Sequence, residues 1–247
     1  MNKIYGRKPV LEAIKSGIEI EQIYISFGTH GDVIEQIKKE AKREGIKITQ
    51  APPAKFDSMF RDKNTQGVAA VTSDIKYCSL DELINISKKS EYPLLLILDS
   101  IQDTHNLGAI LRSAECAGVN GVIVTSQNSA PINEVVEKTS AGAVNHLKIT
   151  KAGNLNNVIT ILKEEGFWIV GSSLGANSKP YSSIDYKMPV ALIVGNEEKG
   201  IRRLISDNCD FLAEIPMAGK IQSLNVSVAT GILLFEIKRQ RLLRIKK

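Results

Sequence analysis

Three stretches of this chain bring polar side chains together at spacings suited to chemistry. The first runs Asp99-Ser-Ile-Gln-Asp103-Thr-His-Asn106-Leu-Gly108 and leads into a segment carrying Arg112. Asn106 has the right type to cap a helix, and Gly108 allows another backbone to come close. Arg112, about a turn and a half later, can stay near that helix end, where free N–H groups and the helix dipole favour a phosphate. The second stretch is Gly195-Asn-Glu197-Glu198-Lys199-Gly200, bounded by glycines that permit a tight path. It is not a triphosphate loop, because Ile201 and Arg202 stand where Lys and Ser or Thr are required and its carboxylates repel phosphate. The third passes from Ile215-Pro-Met217 to Ser223-Leu224-Asn225, placing an apolar Leu224 between hydrogen-bonding neighbours. Each stretch alone admits a plain reading: Asn106, Ser223 and Asn225 as helix caps, Arg112 as a surface cation.

The elements that must hold these loops follow from hydrophobic periodicity. Short continuous apolar runs at 94–98, 122–125, 147–149, 167–171 and 190–194 imply strands covered on both faces, hence an α/β fold with a mostly parallel sheet. Segments 107–117, 132–143 and 155–165 have helical length, with Gly118 and Gly166 placed as C-terminal stops. In such a sheet, ligands collect beyond the carboxyl ends of strands, which is where the first two polar stretches fall. Ahead of this region lies a smaller α/β pattern: a helix at 10–16 with Pro9 in its first turn, a strand at 20–25, an amphipathic helix capped by Asp32, and strands at 46–48 and 68–71. The expected division is 1–73 as one domain, 74–92 as a linker holding a short helix begun by the capping box Ser79-Leu-Asp-Glu82, and 93–247 as the second domain. A terminal helix is expected from Val226, apolar at Val228, Ile232 and Phe235. It ends in a basic cluster of Lys238, Arg239, Arg241, Arg244, Lys246 and Lys247, either a solvated tail or an RNA contact.

Composition narrows the function classes. The 247 residues are 43% hydrophobic, enough for a sizeable core, and 32 Lys and Arg against 27 Asp and Glu leave a net charge of +5, which favours polyanions without naming one. The start, with Lys3, Arg7 and Lys8, carries no long apolar stretch, so neither a secretory signal nor a membrane span is expected, and the cytoplasm is the expected compartment. Cys78, Cys116 and Cys209 are odd in number, widely spaced and without a C-x-x-C pair, which argues against disulfides or a zinc site.

Taken together the three stretches resemble the motifs of one family, the SpoU branch of the SPOUT methyltransferases. Asn106-Leu-Gly-Ala-Ile-Leu-Arg112 is similar to its first motif, Ile193-Val-Gly-Asn-Glu197-Glu-Lys-Gly200 to its second, and Ile215-Pro-Met217 with Ser223-Leu-Asn-Val-Ser-Val-Ala229 to its third. Ile4-Tyr-Gly-Arg-Lys-Pro-Val-Leu-Glu-Ala13 and Gln66-Gly-Val68 resemble the family's small ribosomal-protein-like RNA-binding domain. Asn196 departs from the small residue that relatives often carry there.

The resemblance implies a trefoil knot at the C-terminal end of the catalytic domain, a topology that ordinary connection rules exclude. It implies a homodimer, S-adenosylmethionine as methyl donor without a metal, and 2′-O-methylation of a ribose, guanosine in large-subunit 23S ribosomal RNA. Gly195, Ile215 and Leu224 match cofactor contacts, and Asn106, Arg112, Glu197, Ser223 and Asn225 match the polar catalytic positions. A guanidinium stays protonated, so Arg112 is expected to clamp the target phosphate rather than act as a base, with Glu197 orienting it or Asn106, or taking the proton. The rivals are a transfer-RNA 2′-O-methyltransferase, a resistance-type methylase of another ribosomal site, a catalytically silent RNA- or ribosome-binding relative, and, least supported, a small-molecule methyltransferase.

Overall fold

A computed structural model describes residues 3–61, 63–72, 77–175, 177–196, 200–220 and 223–242. The chain forms two compact units, residues 1–76 with 131–134 and residues 77–130 with 135–247.

The first unit is built from β1 (Lys3–Tyr5), α1 (Arg7–Lys15), β2 (Ile20–Ser26), α2 (Asp32–Arg43), β3 (Lys47–Ala51), α3 (Pro53–Met59) and β4 (Val68–Thr72). Its sheet has the order β1-β4-β2-β3, with β2 and β3 parallel and the other pairs antiparallel. One core gathers Val10, Ile14, Ile23, Ile34 and Ile37, and a second is aromatic, with Phe60 edge-on to Tyr24 at 5.4 Å between ring centroids. The cap expected at Asp32 is in fact Gly31, at φ 127, and Asp32 is the first residue of α2, where its charge still suits the dipole. Arg7 links three segments, its Nε donating to the Gln66 carbonyl at 3.1 Å and its Nη1 to the His30 carbonyl at 3.1 Å. The segments resembling the RNA-binding domain therefore meet at one corner of this sheet.

The second unit carries α4 (Leu80–Ser87), β5 (Leu94–Asp99), α5 (Thr104–Ala117), β6 (Gly121–Thr125), α6 (Glu134–Thr139), β7 (Ile149–Ala152), α7 (Leu155–Glu164), β8 (Trp168–Ser172), β9 (Lys179–Pro180), β10 (Val190–Gly195), α8 (Arg203–Ser206), β11 (Phe211–Glu214) and α9 (Val226–Leu242). Seven strands in the order β7-β6-β5-β10-β8-β11-β9 form one sheet, parallel at every pairing among the described residues. Every residue of β5, β6 and β10 is buried, as strands covered on both faces require. The chain builds outward from β5 through β6 to β7, crosses to β8, and later inserts β10 between β5 and β8. The β5/β10 junction is thus the switch point of the sheet, and a crevice for a ligand is expected outside its carboxyl ends.

Several boundaries differ from expectation for identifiable reasons. The segment 77–92, expected to be linker, is part of this unit: Ser79 caps α4, Leu83 and Ile84 are buried in the main core, and Tyr77 bridges to Ile149. Helix 132–143 shortens to α6 followed by a 3-10 turn at Ala143–His146. The strand expected at 147–149 runs instead over β7, because the apolar residues Leu147 and Ile149 pack from both the turn and the strand. Gly118 does end α5, in the left-handed conformation at φ 76. Of the terminal basic cluster, Arg244, Lys246 and Lys247 lie outside the described residues. Arg241 is neither solvated nor presented outward. Its guanidinium is turned in, donating to the carbonyls of Tyr92, Tyr186 and Met188 at 2.8, 3.0 and 2.9 Å, and burial lowers its pKa to about 10.

Candidate active site

The carboxyl ends of β5 and β10 lie side by side, with Asp99 in register with Gly195. Beyond them the chain turns back on itself: the Gly200 N–H donates to the Asn196 carbonyl at 2.8 Å, and these two residues form an antiparallel bridge. A Cβ on Gly195 would stand 2.2 Å from the carbonyl of Gly200 and 2.3 Å from the nitrogen of Ile201, so glycine is required there. Two side chains tie this turn to the end of β5. The Asn196 amide donates to the Ser100 carbonyl at 3.2 Å. Asp99, fully buried, accepts from the Arg202 backbone N–H at 3.2 Å and faces the Arg202 guanidinium at 2.8 Å. A buried carboxylate is costly unless paired, and this pairing fixes where the turn re-enters the fold. Glu197, expected in the catalytic set, lies outside the described residues.

A cleft of about 310 Å³ opens beside this turn. Gly195, Ile201, Ile215, Met217, Ser223 and Leu224 are among its walls, so all three residues expected to contact the cofactor line one cavity although they come from separate loops. Its floor is the end of β8, at Ser172 and Ser173. Leu224 is 37% exposed, an apolar side chain facing open space with polar neighbours on either side. Such a mixture of apolar walls and nearby backbone donors and acceptors is typical of small-molecule sites.

Next to the cleft wall, one hydrogen bond joins the first and third motifs. Asn225, next to Leu224, donates from its amide to the Asn106 side-chain oxygen at 2.9 Å. Its own oxygen accepts from the Ser227 N–H at 2.9 Å, so Asn225 also caps α9. The two readings of Asn225, cap and site residue, both hold in one side chain. Asn106 does not cap. That role falls to Asp103, whose carboxylate accepts from the Asn106 N–H at 2.7 Å, and α5 begins at Thr104. The earlier start moves Arg112 inward to the ninth residue of α5, about 12 Å along the axis from the first, so it is not beside the helix's free N–H groups as expected. Arg112 is exposed and makes no hydrogen bond or ion pair with a described residue.

Alignment of the two Asn residues depends on helix packing. Asn225 meets Asn106, a Cβ on Gly231 would lie 3.9 Å from the Ser113 hydroxyl, and the Lys238 ammonium donates to the Cys116 carbonyl at 2.9 Å. These contacts advance together along both helices, so α5 and α9 run in the same direction with their N-terminal ends together. Gly108 admits α6 on another side, since a Cβ there would come within 2.6 Å of the Thr139 side chain.

Sequence reasoning missed Asp99, Arg202 and Asn196 as the residues that set the second loop. Asp99 was visible as the lone acid closing an apolar run, a pattern that calls for a buried partner. Among the described residues no cluster of His, Cys, Asp or Glu could hold a metal ion, and no helix is long and apolar enough to cross a membrane. The cysteines are free, and burial raises the Cys209 thiol to about 12.

Comparison with known proteins gives these features a family. The profile of the SpoU rRNA Methylase family matches residues 93–235, and that of RNA 2′-O ribose methyltransferase substrate binding matches residues 3–78. YacO of Bacillus subtilis (strain 168), named for the TrmH family of tRNA/rRNA methyltransferases, is 36% identical over 239 residues, covering 96% of this chain and 95% of its own length. The crystal structure of an AdoMet-bound rRNA methyltransferase from Sinorhizobium meliloti superposes with a TM-score of 0.62 at 29% identity, over 96% of this chain and 86% of that one. The TrmH/SpoU tRNA modifying enzyme of A. aeolicus is 35% identical with a TM-score of 0.59, covering 67% of this chain and 83% of its own. With a domain-length profile match, a full-length relative and a glycine-bounded turn, cleft and Asn pair in the places its motifs occupy, the chain belongs to the SpoU rRNA methylase family, whose members are RNA 2′-O-methyltransferases.

Proposed function

We propose that this protein methylates the 2′-hydroxyl of a guanosine ribose in 23S ribosomal RNA, with S-adenosylmethionine as donor and no metal. The observation that carries the reading is the Asn225–Asn106 hydrogen bond, because Asn225 directly follows Leu224 in the wall of a cleft also lined by Gly195 and Ile215, so the bond brings the first motif beside a cavity built by the second and third.

The cleft fits the cofactor on its own terms. Its volume of about 310 Å³ is at the scale of small-ligand sites, its apolar walls Ile215, Met217 and Leu224 suit an adenine ring, and the close turn at Gly195 leaves backbone groups rather than side chains to meet it. When bound there, the cofactor supplies a methyl already activated by the positive charge on its sulfur. The protein's own task is to place and deprotonate the hydroxyl. Asn106, Asn225 and Ser223 hold the ribose, and holding it aligned contributes several kcal/mol to lowering the barrier. Arg112, exposed and without a described partner, is free to bind the nucleotide's phosphate. Glu197, the one carboxylate in the catalytic set, orients Arg112 or Asn106 or takes the proton itself, and base assistance of this kind contributes about 10²–10⁴-fold.

The same reading includes the C-terminal trefoil knot, a cytoplasmic location and a homodimer. Val228 and Phe235 on α9, each about half exposed, supply apolar surface for the dimer. The first unit and the basic surface bind folded RNA through phosphate and shape. Ribosomal rather than transfer RNA is favoured because the S. meliloti rRNA methyltransferase aligns with 96% of this chain, whereas the A. aeolicus tRNA enzyme aligns with 67%. Calorimetric titration with S-adenosylmethionine tests the reading: saturable heat that disappears in Gly195→Val is expected. Absence of heat in the parent protein would leave a catalytically silent RNA binder.

A further inference from the structure

The chain has one tryptophan, and it is not in the core. Trp168, the first residue of β8, is 45% exposed. Exposing an indole forgoes the largest apolar burial that any side chain offers, and where one ring face stays open a partner is the usual reason. Phe211 on the adjacent strand β11 lies beside it, with ring centroids 5.6 Å apart and planes inclined by 30°. On the next strand, β9, the Lys179 ammonium lies 5.8 Å from the Phe211 centroid. Three neighbouring strands thus present, side by side at the sheet's edge, two aromatic rings and a cation.

The charge that the row itself carries is that of Lys179. Asp210 is already engaged, one oxygen accepting from Lys163 at 2.8 Å and the other from the Ile169 N–H at 2.8 Å. Strand alternation turns Glu214 to the face opposite Phe211. Trp168 stands apart from the cleft, whereas the Phe211 strand reaches it two residues on, at Ala213. Ser172, at the other end of β8, lines the cleft, and four residues of strand put Trp168 about 13 Å away.

We infer that Trp168, Phe211 and Lys179 form a stacking platform for an unpaired base of the RNA, with Lys179 meeting the adjoining phosphate. Aromatic faces interleaved with a cation are the means by which proteins hold single-stranded nucleic acid, since every base has a π-face and every linkage a charge. The inference rests on RNA being the substrate, and it adds that an unpaired segment next to the target nucleotide is gripped on this face. Nucleic acid also fits better than an acidic protein surface, because a base stacks on both aromatic faces while its phosphate meets Lys179, whereas a carboxylate uses only the cation.

Trp168 reports on itself. Full-length protein is titrated with a purine-rich single-stranded oligoribonucleotide of about ten nucleotides, and tryptophan emission is followed. Saturable quenching is expected, with duplex RNA of the same sequence giving little. By anisotropy of a labelled oligonucleotide, Trp168→Ala is expected to bind about tenfold more weakly while Trp168→Phe binds nearly as well, and both are expected to bind S-adenosylmethionine like the parent. Emission unchanged at saturating RNA, or full affinity in Trp168→Ala, overturns the platform. So does a change of oligomeric state in Trp168→Ala during sedimentation, which would make this face a contact between two copies. RNA methylated normally while Trp168 stays unquenched sinks the platform and leaves the methyltransferase reading standing.

Discussion

At the scale of single residues, side chains that serve two purposes hold the site together. Asn225 caps α9 through its oxygen and reaches Asn106 through its amide. If the pair acts as one unit, Asn106→Ala and Asn225→Ala should each lower kcat/KM by roughly 10²-fold, and the double variant should be little worse than either single one. Additive losses, measured in the same assay, would mean the two act separately. Thiol reactivity offers a second check. Cys116 is exposed whereas burial holds Cys209 near pKa 12, so a thiol reagent at neutral pH should label Cys116 rapidly and Cys209 only after denaturation. How far such roles were legible depends on the residue. Gly195, Ile215, Leu224, Ser223 and Asn225 could be grouped only through the motifs they share with a known family, since each loop alone also reads as turns and caps. Asp103 was not read as the α5 cap, because Asn106 three residues on is an equally good capping type and nothing local decides between them.

At the scale of elements, the parallel packing of α5 and α9 determines whether the two motifs meet, and two features of α9 hold it in register. Arg241 ties its last turn to the chain entering β5 and β10 through carbonyls of Tyr92, Tyr186 and Met188. Arg241→Ala would take the donor from these part-buried carbonyls, and a loss of about 1–3 kcal/mol in chemical denaturation is expected. Glu236, one turn earlier, has its pKa lowered by the Arg239 hydrogen bonds, aided by Gln240. A carboxyl with a lowered folded pKa stabilises fully above its unfolded value, and that contribution fades as the pH falls through the folded value. Glu236→Gln should therefore flatten the acid side of the stability curve and leave its slope at neutral pH alone. From the sequence, α9 could be expected from periodicity alone, but not the inward turn of Arg241. A basic run at a helix end reads as solvated unless the carbonyls that receive it, here from segments more than fifty residues away, are known. The same limit turned residues 77–92 into an expected linker, since what makes α4 part of the sheet unit is the fit of Leu83 against Gly121, a contact distant in sequence.

At the scale of the whole molecule, the α/β class, the parallel sheet and the division into a smaller and a larger α/β part were readable because fully buried strands write uninterrupted apolar runs. Strand order was not, since placing β10 between β5 and β8 is decided by long-range pairing that leaves no local mark. That order creates the switch point at which Asp99 and Gly195 stand abreast, and with it the cleft. A methyl donor held in this cleft is proposed to face a ribose hydroxyl of ribosomal RNA. The most direct test supplies purified protein with unmodified 23S and transfer RNA transcripts and methyl-labelled S-adenosylmethionine, then maps linkages resistant to alkali, because a methylated 2′-oxygen can no longer attack its phosphate. One resistant linkage, 3′ to a guanosine of 23S RNA, carrying the label is the predicted result. Label on a base, label in transfer RNA alone, or no label in either transcript would contradict it.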